Sequence, residues 1–473
     1  MNILLVISDS LRADACGCYA GFAQTPNMDR LAAGGTRFDQ CHAASFPTGP
    51  MRKDLLTGRF TFTYAPWAGK LQHGEALLPV ELKRRGYLTA FIGDSPGAWA
   101  FDDGFDHFER IETQHADPTP RSDASLRRTG PGAPKHPALP APMRKFRCPR
   151  SRAERAVRQR LAWREEETPV AQTMRAACRW LESRYGRREP FFLQVDTFDP
   201  HEPWLAPQCY IDLYDPGYRG HELLDPAYEP AGYASAREIA HMRALYAAEV
   251  TLVDRWFGVL LDTVERLRLS DSTAIIFTSD HGFYHGEHGL IGKVRLNRRD
   301  RIIARWPLYA TITRIPLVIR VPRTRGPRAI GALCQPPDFM PTILDLAGAP
   351  VPRTVQGASL LPLLRGEKTP LRNAAVGSCT YVQDDAVRCP TSLRTSRHLY
   401  IYGGDEWPSE LYDLRADPNE SKNIFARERP AAERLHRRLL RFLEEIECPP
   451  ERLAGRRAFD PTPRRIPPRY RVI

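Results

Sequence analysis

Acidic side chains and a histidine directly follow several short apolar runs of the sequence. Each run is typical of a buried strand. The residues that follow these runs are Asp9, Asp94, Asp196, Asp199, Asp280 and His281. Because ligands bind beyond the carboxyl ends of parallel strands, these side chains are expected at one edge of a sheet. A single carboxylate there would more often cap the next helix, but together they favour a divalent metal site.

A threonine and an arginine four positions apart form a second candidate. In the segment Thr48–Arg52 (TGPMR), a threonine followed by a proline in the first turn is typical of a helix N-cap. A helix start also offers free N–H groups and positive potential to an anion. A Thr48 hydroxyl that touched a metal there would lose its proton more easily and become a nucleophile, and Arg52 could bind the oxygens of the anion as a fork.

Two further loops carry cationic side chains. His201 lies in FDPHEPW, a loop braced by prolines after an apolar run. His288 and Lys293 lie in the glycine-rich segment that follows Asp280. Donors of this kind neutralise anionic oxygens, so His201, His288 and Lys293 are candidates for substrate binding. His285, in the same segment, is interpreted as a surface histidine.

The elements that must position these residues alternate between strands and helices. Long helices are predicted at about residues 170–184 and 238–267. Strands are predicted at residues 3–7, 88–92, 191–195, 274–278 and 317–321. This alternation predicts an α/β fold, a large and mostly parallel sheet flanked by helices, over residues 1–370.

Other parts of the chain differ in composition. Residues 115–165 are rich in proline and arginine and predict an insertion with one basic helix near 152–165. Residues 371–446 predict a small C-terminal α+β domain, an antiparallel sheet followed by a helix. Residues 447–473 are expected to form an extended tail, through which an oligomer could form.

Composition limits the class of protein. The chain has 473 residues, 42% of them hydrophobic and 26% charged, which excludes a largely disordered chain. The net charge of +12 favours anionic partners.

No stretch approaches the roughly 20 apolar residues of a membrane span, and the N-terminus lacks the features of a secretory signal, so a cytoplasmic protein without a membrane partner is expected. The ten cysteines match no zinc motif.

Four segments together carry a resemblance to a known family. They are Asn2–Tyr19 (NILLVISDSLRADACGCY), Thr25–Phe38 (TPNMDRLAAGGTRF), Thr48–Arg59 (TGPMRKDLLTGR) and Phe277–Lys293 (FTSDHGFYHGEHGLIGK). The chain resembles the sulfatase family of the alkaline phosphatase superfamily. The likeness runs from about residue 2 to 424, interrupted at 115–165 and 294–307, and also includes FDPHEPW and DFMPTILDLAG.

The resemblance implies roles for the residues that match the family motifs. Asp9, Asp280 and His281 match metal ligands. Thr48 matches the position of the nucleophile, which also touches the metal, and Arg52 matches the arginine that steadies it. His201 and Lys293 match groups that bind the ester oxygens or assist the leaving group.

Three parts of the sequence depart from the family pattern: position 48, position 10 and the segment 93–96. Sulfatases carry Cys or Ser at position 48, which a maturation enzyme converts to formylglycine, and threonine cannot yield that aldehyde. Threonine does serve as nucleophile in phosphodiesterase relatives of the superfamily. Ser10 stands where many sulfatases have a second aspartate, and the segment Gly93–Pro96 replaces a motif that bears Lys and His in arylsulfatases.

The sequence therefore predicts a metal-dependent hydrolase of sulfate or phosphate esters with Thr48 as nucleophile. One divalent ion or two would be bound, and the ligand set suits Ca, Mg, Mn or Zn. The substrate is expected to be a small anionic ester. The alternatives are a transferase that passes the group from Thr48 to an alcohol and a non-catalytic anion binder. Nucleic acid is not an expected partner, because no RNA- or DNA-binding motif is present.

Overall fold

The structure is a computed structural model that describes residues 1–67, 74–95, 104–111, 164–296, 302–323, 328–382, 389–404 and 406–461. The predicted insertion at 115–165, with its basic helix, lies almost entirely outside the described residues. Within them, no helix has the length and apolar character that crossing a membrane would require.

A large sheet of eight strands forms the centre of the fold. Its strands are β1 (Asn2–Ser8), β2 (Thr36–Cys41), β4 (Leu88–Gly93), β5 (His107–Arg110), β6 (Phe191–Thr197), β7 (Thr273–Ser279), β12 (Leu317–Arg320) and β13 (Arg328–Cys334). They lie in the order β13-β2-β12-β7-β1-β6-β4-β5. All neighbours pair in parallel except β12, which is antiparallel to both β7 and β2. The predicted α/β sheet is therefore confirmed as a mixed one.

The direction of β12 follows from the segment that precedes it. A parallel return needs a crossover, usually a full helix, to carry the chain back to the other edge of the sheet. Between β7 and β12 the described residues form only short elements. These are β8 (Tyr284–His285), β9 (Ile291–Gly292), β10 (Val294–Leu296), β11 (Ile302–Arg305) and α7 (Ala310–Thr313). The described residues of this segment thus contain no crossover helix, and β12 pairs with β7 in the opposite direction.

Helices cover both faces of the large sheet. They are α1 (Pro26–Ala33), α2 (Thr48–Thr57), α3 (Leu78–Arg84), α4 (Pro169–Ser183), α5 (Gln208–Ile211), α6 (Ala236–Arg266), α8 (Phe339–Ala347) and α9 (Leu361–Leu364). In β1, Leu4 and Val6 join the core beneath α4 and α6, whereas Ile3, Leu5 and Ile7 join the core beneath α2 and α8. Burial on both faces explains why β1 is a continuous apolar run rather than an alternating one.

A second sheet has five strands. They are β3 (Ser45–Phe46), β14 (Ala375–Cys379), β15 (Thr391–Arg394), β16 (His398–Tyr402) and β17 (Glu410–Asp413), and α10 (Arg429–Glu445) packs against β16. The C-terminal strands are antiparallel to one another, but β14 pairs in parallel with β3 from the N-terminal part of the chain. Because β3 directly precedes α2, the small sheet holds the start of α2 against the large one.

The residues after 447 were expected to be extended, but part of this segment is helical. Pro450–Ala454 form a helix, α11, in which Leu453 is buried. Arg456 is also buried, and its guanidinium lies 3.3 Å from the centre of the Tyr381 ring. These contacts hold the segment against the small sheet, and residues 462–473 lie outside the described part of the chain.

Candidate active site

Three candidate metal ligands meet at the carboxyl edge of the large sheet. Asp9 follows β1, and Asp280 and His281 follow the neighbouring strand β7. One ligand atom from each lies within 4.8 Å of the others, and all three residues are fully buried. The predicted convergence is confirmed, and its cause is the parallel pairing of the two strands in register.

Hydrogen bonds fix the two carboxylates of this cluster. Asp280 Oδ1 accepts from the backbone N–H of Ser10 at 2.8 Å and of His281 at 2.7 Å. Ser10 adopts a left-handed φ of 61°, and its hydroxyl donates to Asp9 Oδ1 at 2.8 Å. The other oxygen of Asp9, Oδ2, is buried and makes no hydrogen bond.

The electrostatics of the cluster separate the two carboxylates. Burial and the charge of Asp280 raise the pKa of Asp9 well above its ordinary value. Burial also opposes ionisation of Asp280, yet His281, Arg52 and Lys293 hold its pKa well below the usual range. Burial lowers the pKa of His281 to about 4, so its imidazole is neutral at pH 7.

The Thr48 hydroxyl faces this cluster. The α2 helix begins at Thr48 itself, and no side-chain hydrogen bond caps it, so the interpretation of Thr48 as an N-cap is wrong. Instead Thr48 Oγ1 lies 3.3 Å from His281 Nε2. His281 Nδ1 lies 2.9 Å from the carbonyl oxygen of Gly282 and must donate to it, which leaves the lone pair of the neutral ring on Nε2.

Arg52 binds protein acceptors rather than presenting a fork to a ligand. Nε and Nη2 donate to the two oxygens of Asp196 at 2.8 and 2.6 Å. Nη1 donates to Asp280 Oδ2 at 2.8 Å and to the Thr48 carbonyl at 3.0 Å, and Nη2 lies 3.4 Å from Asp9 Oδ2. With no exposed surface, the guanidinium holds the first turn of α2 against the carboxylates. The expectation that it grips the anion's oxygens as a fork is therefore wrong.

Lys293 and His201 approach the cluster from another side. Lys293 Nζ lies 4.0 Å from Asp9 Oδ1 and 4.0 Å from Glu202 Oε2. His201 Nδ1 lies 2.7 Å from the Glu202 carbonyl oxygen, and its ring stacks on Phe198 at 3.9 Å between centres. Both predicted cations therefore contact Glu202, which links them to the side of the cluster that Asp9 occupies.

Two histidines of the glycine-rich segment lie elsewhere. His288, a predicted substrate ligand, stacks on Tyr309 at 3.7 Å between ring centres, and the structure does not bring it together with the three-residue cluster. His285 was expected at the surface but is fully buried, with Nδ1 3.1 Å from Arg12 Nη1. It packs among aromatic rings, which explains its burial.

The other carboxylates at strand ends have structural partners. Asp199 accepts from the backbone N–H of Val170 at 3.1 Å, in the first turn of α4. It therefore binds the start of a helix that precedes it in the chain, and not the next helix as expected of a single carboxylate. Asp94 accepts from the backbone N–H of Phe198 and from the Thr173 hydroxyl. Neither belongs to the metal cluster, although the local sequence around each resembles that around Asp9.

Three residues of the site were not predicted in their observed roles. Asp196 is the bidentate partner of Arg52, Ser10 bridges Asp9 and Asp280, and Glu202 lies between Lys293 and His201. Asp196 had been noted only as a strand-end carboxylate. Glu202 offered a signal, since it adjoins His201 in the proline-braced loop, but its contact with Lys293 depends on the tertiary fold.

The donors of the cluster fit a divalent cation. Two carboxylates and a neutral imidazole with an available lone pair are ligands that such ions take. The buried Asp9 Oδ2 makes no hydrogen bond and lies 3.4 Å from the Arg52 guanidinium, so its lone pairs remain available to a cation. Among the described residues, Asp9, Asp280 and His281 are the one group of three His, Cys, Asp or Glu side chains whose ligand atoms lie close enough together to bind a single ion.

Comparisons with known proteins agree with this geometry. The family model described as Sulfatase matches residues 1–349, and that described as N-sulphoglucosamine sulphohydrolase, C-terminal, matches residues 302–447. An N-acetylglucosamine-6-O-sulfatase of Bacteroides thetaiotaomicron is 29% identical, over 94% of this chain and 86% of that protein. A multifunctional alkaline phosphatase superfamily protein of Trinickia caryophylli is 26% identical, over 89% of this chain and 91% of that protein.

Solved structures share the fold. A protein in complex with its substrate D-glucosamine-2-N,6-O-disulfate aligns with a TM-score of 0.71 and 23% identity, over 95% of this chain and 99% of that one. A phosphonate monoester hydrolase from Silicibacter pomeroyi aligns with a TM-score of 0.73 and 22% identity, over 95% and 96%. Because the first family model covers well over half of the chain, the protein belongs to the sulfatase family of the alkaline phosphatase superfamily and is an ester hydrolase of that family.

Proposed function

We propose that the protein is a metal-dependent hydrolase that cleaves phosphate or phosphonate esters through Thr48, with sulfate esters as equal or poorer substrates. The observation that carries this proposal is the placement of Thr48 Oγ1 at 3.3 Å from His281 Nε2, in the ligand cluster, with no capping role. A hydroxyl held at a helix start beside the imidazole of the ligand cluster has the position that a nucleophile requires.

Asp9, Asp280 and His281 would hold the metal. When bound, the ion would supply positive charge that favours the ionised form of the Thr48 hydroxyl and polarises an ester oxygen. Arg52 fixes this arrangement, because it binds the Thr48 carbonyl and Asp280 at the same time. Arg52 therefore sets the position of Thr48 Oγ1 relative to the carboxylates.

The reaction proceeds in two displacements. Thr48 Oγ attacks the phosphorus or sulfur atom as the proton of its hydroxyl passes to solvent, the bond to the leaving oxygen breaks, and the alcohol departs after taking up a proton. Water then attacks the Thr48 ester, the bond to Oγ breaks, and the inorganic or phosphonic acid leaves while Thr48 regains its proton. His201 and Lys293 neutralise charge on the ester and leaving oxygens, a contribution worth about 10²–10³ in rate for one well-placed donor.

The choice of phosphorus over sulfur rests on the chemistry of a threonine ester. A formylglycine hydrate releases sulfate by elimination to the aldehyde, a route that a threonine lacks. A sulfo-threonine would need water to attack at sulfur, and it lacks the second negative charge of a phospho-threonine that a metal could hold. Relatives and fold neighbours are named for both sulfate and phosphonate esters, which supports the ester class but not the choice within it.

A substrate panel tests this proposal. Aryl sulfate, phosphate monoester, phosphodiester and phosphonate monoester, all with one leaving group, are assayed with Mg, Mn, Zn and Ca. We expect a phosphorus ester to give the highest kcat/KM, Thr48→Ala to lose most of it, and Thr48→Ser, which keeps a hydroxyl, to retain part. Efficient aryl sulfate turnover without phosphoester activity would contradict the ester preference, and full activity of Thr48→Ala would contradict the nucleophile.

A further inference from the structure

Glu202 lies between the two cationic side chains of the site. It is 1% exposed, and its Oε2 is 3.3 Å from His201 Nδ1 and 4.0 Å from Lys293 Nζ. The backbone carbonyl of the same residue is 2.7 Å from His201 Nδ1. A single buried glutamate thus faces His201 with both its carbonyl and its carboxylate.

Tyr228 holds the other side of this carboxylate. Its hydroxyl donates to Glu202 Oε1, and its side chain is buried. The Tyr228 ring packs closely on Gly292, the residue before Lys293, since a Cβ there would lie 2.5 Å from the ring. Tyr228 therefore connects the carboxylate to the backbone that carries Lys293.

The loop around Glu202 is anchored independently of these contacts. The indole N–H of Trp204 donates to the Pro200 carbonyl at 2.9 Å, and the backbone N–H groups of Leu205 and Ala206 donate to Glu249. A carboxylate on such a loop can set the orientation of a neighbouring imidazole with little loss of side-chain entropy. A residue that positions a general acid needs such a rigidly held backbone.

We propose that Glu202 is a positioning residue that orients His201 as the general acid toward the leaving oxygen and holds Lys293 beside it. The inference rests on the proposed ester hydrolysis and gives a role to a residue to which the resemblance assigned none. His201 Nδ1–H donates to the Glu202 backbone carbonyl, and the Glu202 carboxylate lies 3.3 Å from the same nitrogen as a negative charge. Nε2 of His201 is therefore left to carry the transferable proton. That proton moves from Nε2 to the leaving oxygen as its bond to phosphorus breaks, and the water of the second displacement returns a proton to Nε2.

A carboxylate suits this place better than an amide. Glu202→Gln would keep the size of the side chain but remove the negative charge that faces His201 and Lys293. It could also direct an N–H toward two cationic groups, which is unfavourable. The variant should therefore disturb proton donation more than folding or substrate binding.

The leaving group of the substrate separates this role from a structural one. A phenolate needs protonation far more than a 4-nitrophenolate does. Wild type and Glu202→Gln are compared on the phenyl and 4-nitrophenyl esters of the same phosphonate. The matched control is Asp254→Asn, because Asp254 is an equally buried carboxylate outside the site. We expect kcat for the phenyl ester to fall about 10- to 100-fold in Glu202→Gln, which is less than the loss expected when a general acid is removed altogether. For the 4-nitrophenyl ester, kcat should fall less than about threefold. KM should change little for both substrates.

Tyr228→Phe removes the hydrogen bond to Glu202 Oε1 while keeping the ring, and it is the second variant should the first one misfold. It should show the same bias against the phenyl ester to a smaller degree, whereas Asp254→Asn should show none. Equal losses on both esters, or a change confined to KM, would overturn the role of Glu202 while leaving the hydrolase intact. A wild-type protein that cleaves neither these esters nor the rest of the panel would overturn the proposed function and this inference with it.

Discussion

The Thr48 hydroxyl oxygen lies 3.3 Å from Nε2 of His281, which stands 233 positions later in the chain. The strand β3, paired with β14 of the small sheet, delivers Thr48, and the strand β7 of the large sheet delivers His281. The site therefore forms where the two sheets meet. Neither sheet alone would bring the proposed nucleophile to the ligand cluster.

Metal binding should depend on the carboxylates and not on Thr48. Asp280→Asn is expected to lower metal affinity by more than about tenfold, since even an outer partner of a ligand contributes about 10–100-fold. Thr48→Ala should keep most of the affinity because Asp9, Asp280 and His281 remain. Metal content after gel filtration, measured by elemental analysis, tests both variants without an activity assay. Equal metal loss in the two variants would count against this ligand set.

Removing Arg52 should destabilise the fold. Arg52→Ala would leave Asp196 and Asp280 buried without their cation, and breaking a buried ion pair in this way costs about 3–5 kcal/mol. Arg30→Ala is the control, because its pair with Asp262 is exposed and should contribute less than about 1 kcal/mol. Urea unfolding monitored by circular dichroism gives both free energies of unfolding. Similar values for the two variants would refute the structural role of Arg52.

Gly282 should tolerate no side chain. A Cβ at this position would lie 2.2 Å from the Thr311 backbone oxygen, which cannot move aside easily, and the Gly282 N–H donates to the Ile312 carbonyl. We expect Gly282→Ala to lower the free energy of unfolding by about 1–3 kcal/mol and to weaken metal binding, because His281 would shift. Gly331→Ala, whose Cβ would meet nothing within 4 Å, should leave both quantities unchanged. A Gly282→Ala protein that matches wild type in melting temperature and metal content would contradict the packing.

Glu287 should contribute stability that is lost in acid. Burial opposes its ionisation, but Arg12, His285 and Arg243 lower the pKa of Glu287 from 4.5 to about 2. Because the folded state has the lower pKa, this stability is fully present above about pH 4.5 and disappears as the pH falls toward 2. Glu287→Gln should reduce the free energy of unfolding by about 1.5–3 kcal/mol at pH 7 and by much less near pH 2. The exposed Glu166→Gln serves as control, and a Glu287→Gln deficit that is the same at both pH values would exclude this ion-pair effect.

Most central strands of the large sheet could be predicted from the sequence, but the strands toward its edges could not. β1, β4, β6 and β7 are apolar runs because both of their faces are buried. The strand Thr36–Cys41 (TRFDQC) has neither an apolar run nor a strict alternation of polar and apolar residues, and it was not identified. The antiparallel direction of β12 depends on how the preceding segment returns to the sheet, which no local pattern encodes.

The site was predictable where its residues sit next to recognisable elements. Asp9, Asp280 and His281 each follow a buried strand, and their convergence follows from the parallel pairing of those strands. Asp199 has the same local signature but caps α4, because its neighbours in space, not in sequence, decide its partner. For the same reason the pairing of Arg52 with Asp196, across 144 positions, could not be predicted.

The most direct test of the account is to trap the covalent ester on Thr48. The purified metal-loaded protein is mixed with an aryl phosphonate or phosphodiester, quenched in acid within one turnover, digested and examined by tandem mass spectrometry. We expect a phosphoryl or phosphonyl group on the peptide that contains Thr48, absent in Thr48→Ala and reduced in amount when metal is removed. Turnover by wild type with no adduct on Thr48, together with undiminished turnover by Thr48→Ala, would contradict it.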